Sequence, residues 1–311
     1  MQNKVYDNIL SSDHVGGVQH YLLAPRNIND FFTTGQYLLR IPNYQRPYSW
    51  EKSNILDLLN DILKVSRGET ISWFLGPIFT VRTSSNDQYC DLLDGQQRIT
   101  TIQIILREAS LILLEEEGID LSEYKDLKKK IDKVLRMITN CLIKQISLQE
   151  EIPRFQTEES LNDIFQTYIL EFNEIENHGQ LKNKRKEFKS QIEKARKEGS
   201  ITAGTFGKAI DIVQHFFKEQ IFKDASPQGF EHMFNFIDAL LSKCWLIEIP
   251  LKQHSESIQI FESLNNRGKS LTLVDKLRYK SIVATSKENL NVIRNKWKTV
   301  YSALNFLNDE K

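Results

Sequence analysis

Tyr89-Cys-Asp-Leu-Leu-Asp-Gly-Gln-Gln-Arg-Ile-Thr-Thr101 is the stretch on which the reading of this chain turns. Tyr89, Leu92 and Leu93 suit a half-buried strand, and Asp94-Gly95 marks a turn because glycine accepts positive φ. From Thr100 onward Ile102, Ile105, Leu106, Ala109, Ile112 and Leu113 recur at the spacing of one helix face. The stretch therefore predicts strand, tight turn, helix. Within the turn, Asp94, Gln96, Gln97 and Arg98 place a carboxylate, two amides and a guanidinium beside a helix start. A helix N-terminus offers unpaired N–H groups and partial positive charge, which suit phosphate. Arg98 can fork two phosphate oxygens, and Asp94 can hold a hydrated Mg²⁺ or accept a proton. The plain alternative is a polar loop whose Asp caps the helix while Gln and Arg face solvent, and spacing alone does not separate the two.

Working outward, Gln36 to Pro42 reads as a strand closed by proline, followed by the aromatic and amide-rich Ile41-Pro-Asn-Tyr-Gln-Arg-Pro-Tyr-Ser-Trp50. Ser53-Asn54 is expected to cap a helix carrying Ile55, Leu58, Leu59, Ile62 and Leu63 on one face, ended by Gly68. Trp73 to Thr83 is β-prone with an interruption at Gly76-Pro77, and Ser84 to Asp87 turns it into the strand that reaches Asp94. After residue 115 the character changes. Residues 124–145, 158–176, 180–198, 203–222 and 226–243 read as helices, and strand-like alternation reappears only at Cys244-Trp-Leu-Ile-Glu-Ile-Pro-Leu251. Further on, a helix from Ser257 is expected to stop at Asn265-Asn266-Arg267-Gly268, with Ser270 capping the next. The expected fold class is α+β in two parts: a small mixed-sheet core over 1–115, and a mainly helical domain over 116–311 whose strand 244–251 returns to the core sheet.

The 311 residues suffice for two such parts. Lys plus Arg and Asp plus Glu are both 41, so no global field draws the chain to nucleic acid or membrane, and any such binding must be local. No apolar window reaches a membrane span and no basic-then-apolar leader is visible, so a cytoplasmic protein is expected. Cys90, Cys141 and Cys244 lack C-x-x-C spacing, and the six histidines form no i,i+4 pair, which argues against disulfides and zinc.

Three segments together resemble the GmrS part of GmrSD-type, modification-dependent (type IV) restriction systems, a domain related to the N-terminal domains of SspE-type and BrxU-type phage-defence proteins. They are Ile41-Pro42 with Tyr44-Gln45-Arg46-Pro47-Tyr48-Ser49-Trp50, then Leu93-Asp94-Gly95-Gln96-Gln97-Arg98, then Phe261-Glu-Ser-Leu-Asn-Asn-Arg-Gly-Lys-Ser-Leu271. Fainter support comes from Phe74-Leu-Gly-Pro-Ile78 and Ile152-Pro-Arg-Phe155. The resemblance spans most of residues 20–285 and implies a ParB/sulfiredoxin-like core. It also implies nucleotide binding and hydrolysis at the Asp-Gly-Gln-Gln-Arg segment, with the Tyr-Gln-Arg segment beside it. By the resemblance, catalytic roles fall to Asp94, Gln96, Gln97 and Arg98 and nucleotide-binding roles to Gln45, Arg46 and Gly95, with a nucleoside triphosphate as substrate. From residue type alone, Tyr44 can stack on a nucleobase, Arg267 can contact a phosphate or DNA, and Asp94 can hold Mg²⁺ as cofactor. Longer members continue into a His-Asn-His-type nuclease. This chain has no histidine after His254, so cleavage of DNA is expected from a partner domain or subunit.

The function expected is an NTP-hydrolysing sensing component of a phage-defence system acting on modified or foreign DNA. The alternative is a non-catalytic nucleotide- or DNA-binding module that regulates a separate nuclease. Tyr44, Tyr48 and Trp50 either stack on a base or close a corner of the core. Lys182 to Lys197 carries eight basic and two acidic residues, and Lys184, Arg185 and Lys186 either track a DNA backbone or form a solvated helix face. Homo-oligomer formation is left open.

Overall fold

The helix that follows Gly95 is buried on all sides. In the computed structural model, which describes residues 24–35, 37–43, 45–82, 88–116, 125–147, 150–174, 178–251 and the isolated positions 292 and 296, every residue from Ile99 to Leu113 is buried. The expectation of one apolar face is therefore too narrow. This helix, 96–116, is packed by the helices at 125–142, 178–197, 201–216 and 227–238. A helix surrounded in this way buries residues around its whole circumference, and its polar ones, such as Thr100, Thr101, Gln103 and Ser110, are hydrogen-bonded.

In chain order the elements are β1 (Ala24–Asn27), α1 (Ile28–Thr33), β2 (Leu38–Arg40), α2 (Lys52–Ser66), β3 (Trp73–Val81), β4 (Tyr89–Asp94), α3 (Gln96–Glu116) and α4 (Lys125–Leu142). There follow β5 (Ile143–Ser147), β6 (Glu150–Pro153), β7 (Phe155–Gln156), α5 (Glu159–Leu170), α6 (His178–Lys197), α7 (Ile201–Phe216), α8 (Pro227–Asp238) and β8 (Cys244–Leu251). The fold is α+β. Six strands form one mixed sheet in the order β1-β8-β3-β4-β2-β7. β8 lies between β1 and β3, antiparallel to the first and parallel to the second, with Trp73 opposite Cys244 and Val81 opposite Leu251. One cluster of buried apolar side chains takes in residues from Ile28 to Leu246, and a smaller one of Phe79, Val81, Leu93 and Leu251 is separate from it.

Two local readings differ from the sequence expectation. Helix α2 starts at Lys52, because Glu51 is its N-cap: the Asn54 side chain accepts from the Glu51 N–H at 3.2 Å while the Glu51 side chain accepts from the Asn54 backbone. The strands β5, β6 and β7 were not expected. They are two to five residues long and partly charged, so they carry no legible alternation. β7 nevertheless joins the main sheet beside β2, and its Phe155 is fully buried edge-to-face against Phe165. The residues expected to form the helices beyond 257 lie outside the described residues.

The parallel pairing of β2 with β4 decides where the site forms. Leu38 stands opposite Tyr89 and Arg40 opposite Asp91, so both strands end at the same edge of the sheet. β2 delivers the 41–51 loop there and β4 delivers Asp94 and the start of α3. Crevices beyond the carboxyl ends of parallel strands are where α/β sheets bind ligands.

Candidate functional site

Gly95 makes the junction between β4 and α3. Its φ of +89° lies where L side chains are strained, and an added Cβ would sit 2.6 Å from Ile78 Cγ2. The first helical bond runs from the Ile99 N–H to the Gly95 carbonyl at 3.0 Å. The N–H groups of Gln96, Gln97 and Arg98 precede it and have no partner within the helix.

Two of the expected site residues brace the loop instead of facing a ligand. Gln45 is buried, and its Nε2 donates to the Leu93 carbonyl at 3.0 Å. Gln97 is engaged at both ends of its amide: Oε1 accepts from the Ser49 N–H at 2.7 Å and Nε2 donates to the Pro47 carbonyl at 3.1 Å. These bonds clamp residues 45–49 against the start of α3. Tyr48 is likewise core, with its hydroxyl 2.8 Å from Thr101 Oγ1 and its ring edge-to-face with Phe206, and Trp50 packs against the same core. Tyr44 and Arg267 lie outside the described residues.

The remaining groups are differently placed. Arg98 lies along β3, its Nη1 donating to the Pro77 carbonyl at 3.3 Å. A Cβ on Gly76 would come within 3.2 Å of its guanidinium, so that glycine leaves room for the side chain. Burial lowers the pKa of Arg98, and the charge of Asp94 opposes that shift, which places the two charges within electrostatic reach. Asp94 and Arg46 are partly exposed, and neither side chain has a hydrogen bond or ion pair among the described residues. Gln96 is only 5% exposed, and its Oε1 is buried without a hydrogen-bond partner. Native folds rarely leave such an acceptor unpaired, and each instance asks for a ligand or a water.

A second polar cluster, missed in the sequence, lies deeper on the same helix. Glu108 is fully buried, yet both its oxygens are engaged: Oε1 accepts from the Tyr168 hydroxyl at 2.6 Å, and Oε2 from Arg185 Nη1 at 3.0 Å and Gln214 Nε2 at 2.9 Å. Arg185 is thereby turned inward, which is neither the DNA-tracking nor the solvated-face placement considered for it. Lys184 pairs with Glu171, and of the three expected DNA contacts only Lys186 is exposed. The signal was present as the pair Arg107-Glu108 inside an otherwise apolar helix.

The three cysteines are buried, and burial pushes each thiol up to about 12. None is therefore a nucleophile at neutral pH. Among the described residues no cluster of three or more histidine, cysteine or carboxylate side chains could hold a metal, and no helix is long and apolar enough to cross a membrane.

Fold and site together define an α+β protein whose strand–glycine–helix junction presents a carboxylate, guanidinium groups and unpaired N–H donors at one sheet edge. Residues 28–281 match the GmrSD restriction endonuclease, N-terminal domain, and the chain belongs to this family as a restriction-system component. No curated protein matches it.

Proposed function

We propose that the junction at residues 94–98 binds and hydrolyses a nucleoside triphosphate, and that this turnover serves the recognition of modified or foreign DNA by a restriction system. The buried, unpartnered Oε1 of Gln96 beside Asp94 and Arg98 carries the reading. Phosphoryl transfer needs neutralised phosphate charge and an oriented water more than covalent chemistry. Arg98 and Arg46 clamp phosphate oxygens, and the open N–H groups of α3 accept the same anion. Gln96 orients the attacking water through its free acceptor, while Gln97 and Gln45 hold the loop. A single carboxylate, Asp94, suits Mg²⁺, which keeps most of its waters and shares its coordination with substrate phosphates. When bound, Mg²⁺ would offset the charge that builds on those phosphates. DNA cleavage falls to a nuclease domain or subunit of the His-Asn-His type. DNA contact on α6 rests on outward groups such as Lys186.

The test is phosphate release from ATP, GTP and CTP with Mg²⁺, with and without modified DNA, comparing wild type with Asp94→Ala. Release that falls about 100-fold or more in the variant, the scale of a lost transition-state contact, supports the proposal. Nucleotide binding without release from wild type would instead make the chain a non-catalytic regulatory module.

A further inference from the structure

A cavity of about 170 Å³ opens between α6 and α7, remote in the chain from the loop and turn described above. Its floor is the Glu108–Tyr168–Arg185–Gln214 cluster, and its walls include Phe172, Phe188, Ile192 and Ile210. The carboxylate on the floor already has its partners. The Nε–H of Arg185 does not: it is buried and has no hydrogen-bond acceptor. A buried donor without an acceptor costs free energy unless something in the cavity accepts from it.

The mouth is weighted toward positive charge. Lys189 pairs with Asp211 at 3.3 Å and Arg196 with Glu193 at 2.9 Å, while Lys208 at the rim is exposed and has no ion pair among the described residues. An apolar wall with two phenylalanines, a donor at the base and one unbalanced cation at the rim define a complementary ligand. The volume is enough for a single ring.

We propose that this cavity binds a small, flat organic anion: an aromatic or similarly apolar ring bearing one carboxylate, which pairs with the part of the Arg185 guanidinium that lines the cavity and lies against Phe188 and Ile192. The site is independent of the nucleotide-handling junction.

Benzoate is the probe, with benzylammonium as the charge-reversed control, titrated into the 311-residue chain and followed by amide chemical shifts. Benzoate should give saturable shifts concentrated on α6 and α7, and benzylammonium none. Lys208→Glu should weaken benzoate about threefold, as expected for one surface charge, without altering the fold. Ile192→Phe, which fills the cavity, should abolish binding. The proposal is overturned if benzoate gives no saturable shifts on those helices, if benzylammonium binds equally well, or if a folded variant binds benzoate as wild type does. In the first case water, not a ligand, satisfies Arg185.

Discussion

Helix α3 carries two polar clusters, one at its N-terminus and one midway, and they differ in what they leave unsatisfied. At Glu108 every carboxylate oxygen has a donor from a neighbouring helix, so the cluster joins α3 to α5, α6 and α7. At residues 94–98 Gln97 is fully engaged, but Gln96 Oε1, Asp94 and the first helical N–H groups are not. Both clusters contain an arginine and a carboxylate. What separates them is which group is left open: an N–H donor, Arg185 Nε, in the deep cluster, and an acceptor, Gln96 Oε1, beside a carboxylate at the junction.

The most severe way to break this comparison is Glu108→Ala. It strands the buried Arg185 charge and the Tyr168 hydroxyl, and unfolding in urea should show a loss of about 3–5 kcal/mol. A loss below 1 kcal/mol would mean that the deep cluster does not hold the helices together. Gly95→Ala comes next. It forces positive φ on alanine and drives Cβ into Ile78, at a cost on the order of 1–3 kcal/mol in thermal or urea unfolding. Nucleotide binding should fall with it, because the helix start shifts.

Gln96→Met sharpens the comparison in the opposite direction. Replacing an unpaired buried acceptor with an apolar chain of similar shape should raise stability by up to about 1 kcal/mol. Phosphate release should fall in the same protein. A destabilised Gln96→Met would show that this amide belongs with Glu108 and not with the site. The cysteines give the smallest effect near neutral pH. An unfolded thiol titrates near ~8.5 whereas the folded ones are pushed up to about 12, so thiol burial contributes stability that is complete below ~8.5 and is lost as pH rises toward 12. The melting temperature should therefore decline from pH 8 upward, less steeply in Cys141→Ala than in wild type.

The sequence showed the junction itself because its signals are local: β-prone residues, a glycine and an apolar period follow one another within thirteen positions, Tyr89 to Thr101. It also brought the two halves of the site to attention as separate motifs. Their convergence depends on β2 and β4 being parallel neighbours, a non-local fact that no window contains. The bracing contacts of Gln45 and Gln97 were not legible for a related reason. An amide in a polar loop looks available until its backbone partners, Leu93, Pro47 and Ser49, are known. The charge run on α6 read as a DNA-tracking or solvated face, yet Arg185 reaches Glu108 from a different stretch of chain. β7 was invisible at two residues, although Arg154 beside it donates to the Phe32 and Ile143 carbonyls and helps to seat β2.

The position of β8 has a consequence for how the protein is made. A growing chain that has reached residue 243 contains both flanking strands of its sheet but not the strand that separates them, since β1 and β3 each pair with β8. Closing so long a loop is slow because its entropy is lost before the new pairs form. Until Cys244–Leu251 arrives, the facing edges of β1 and β3 remain open to pairing with other chains. The six-stranded sheet is therefore completed late, and a product ending before residue 244 should aggregate and not fold as a smaller working unit.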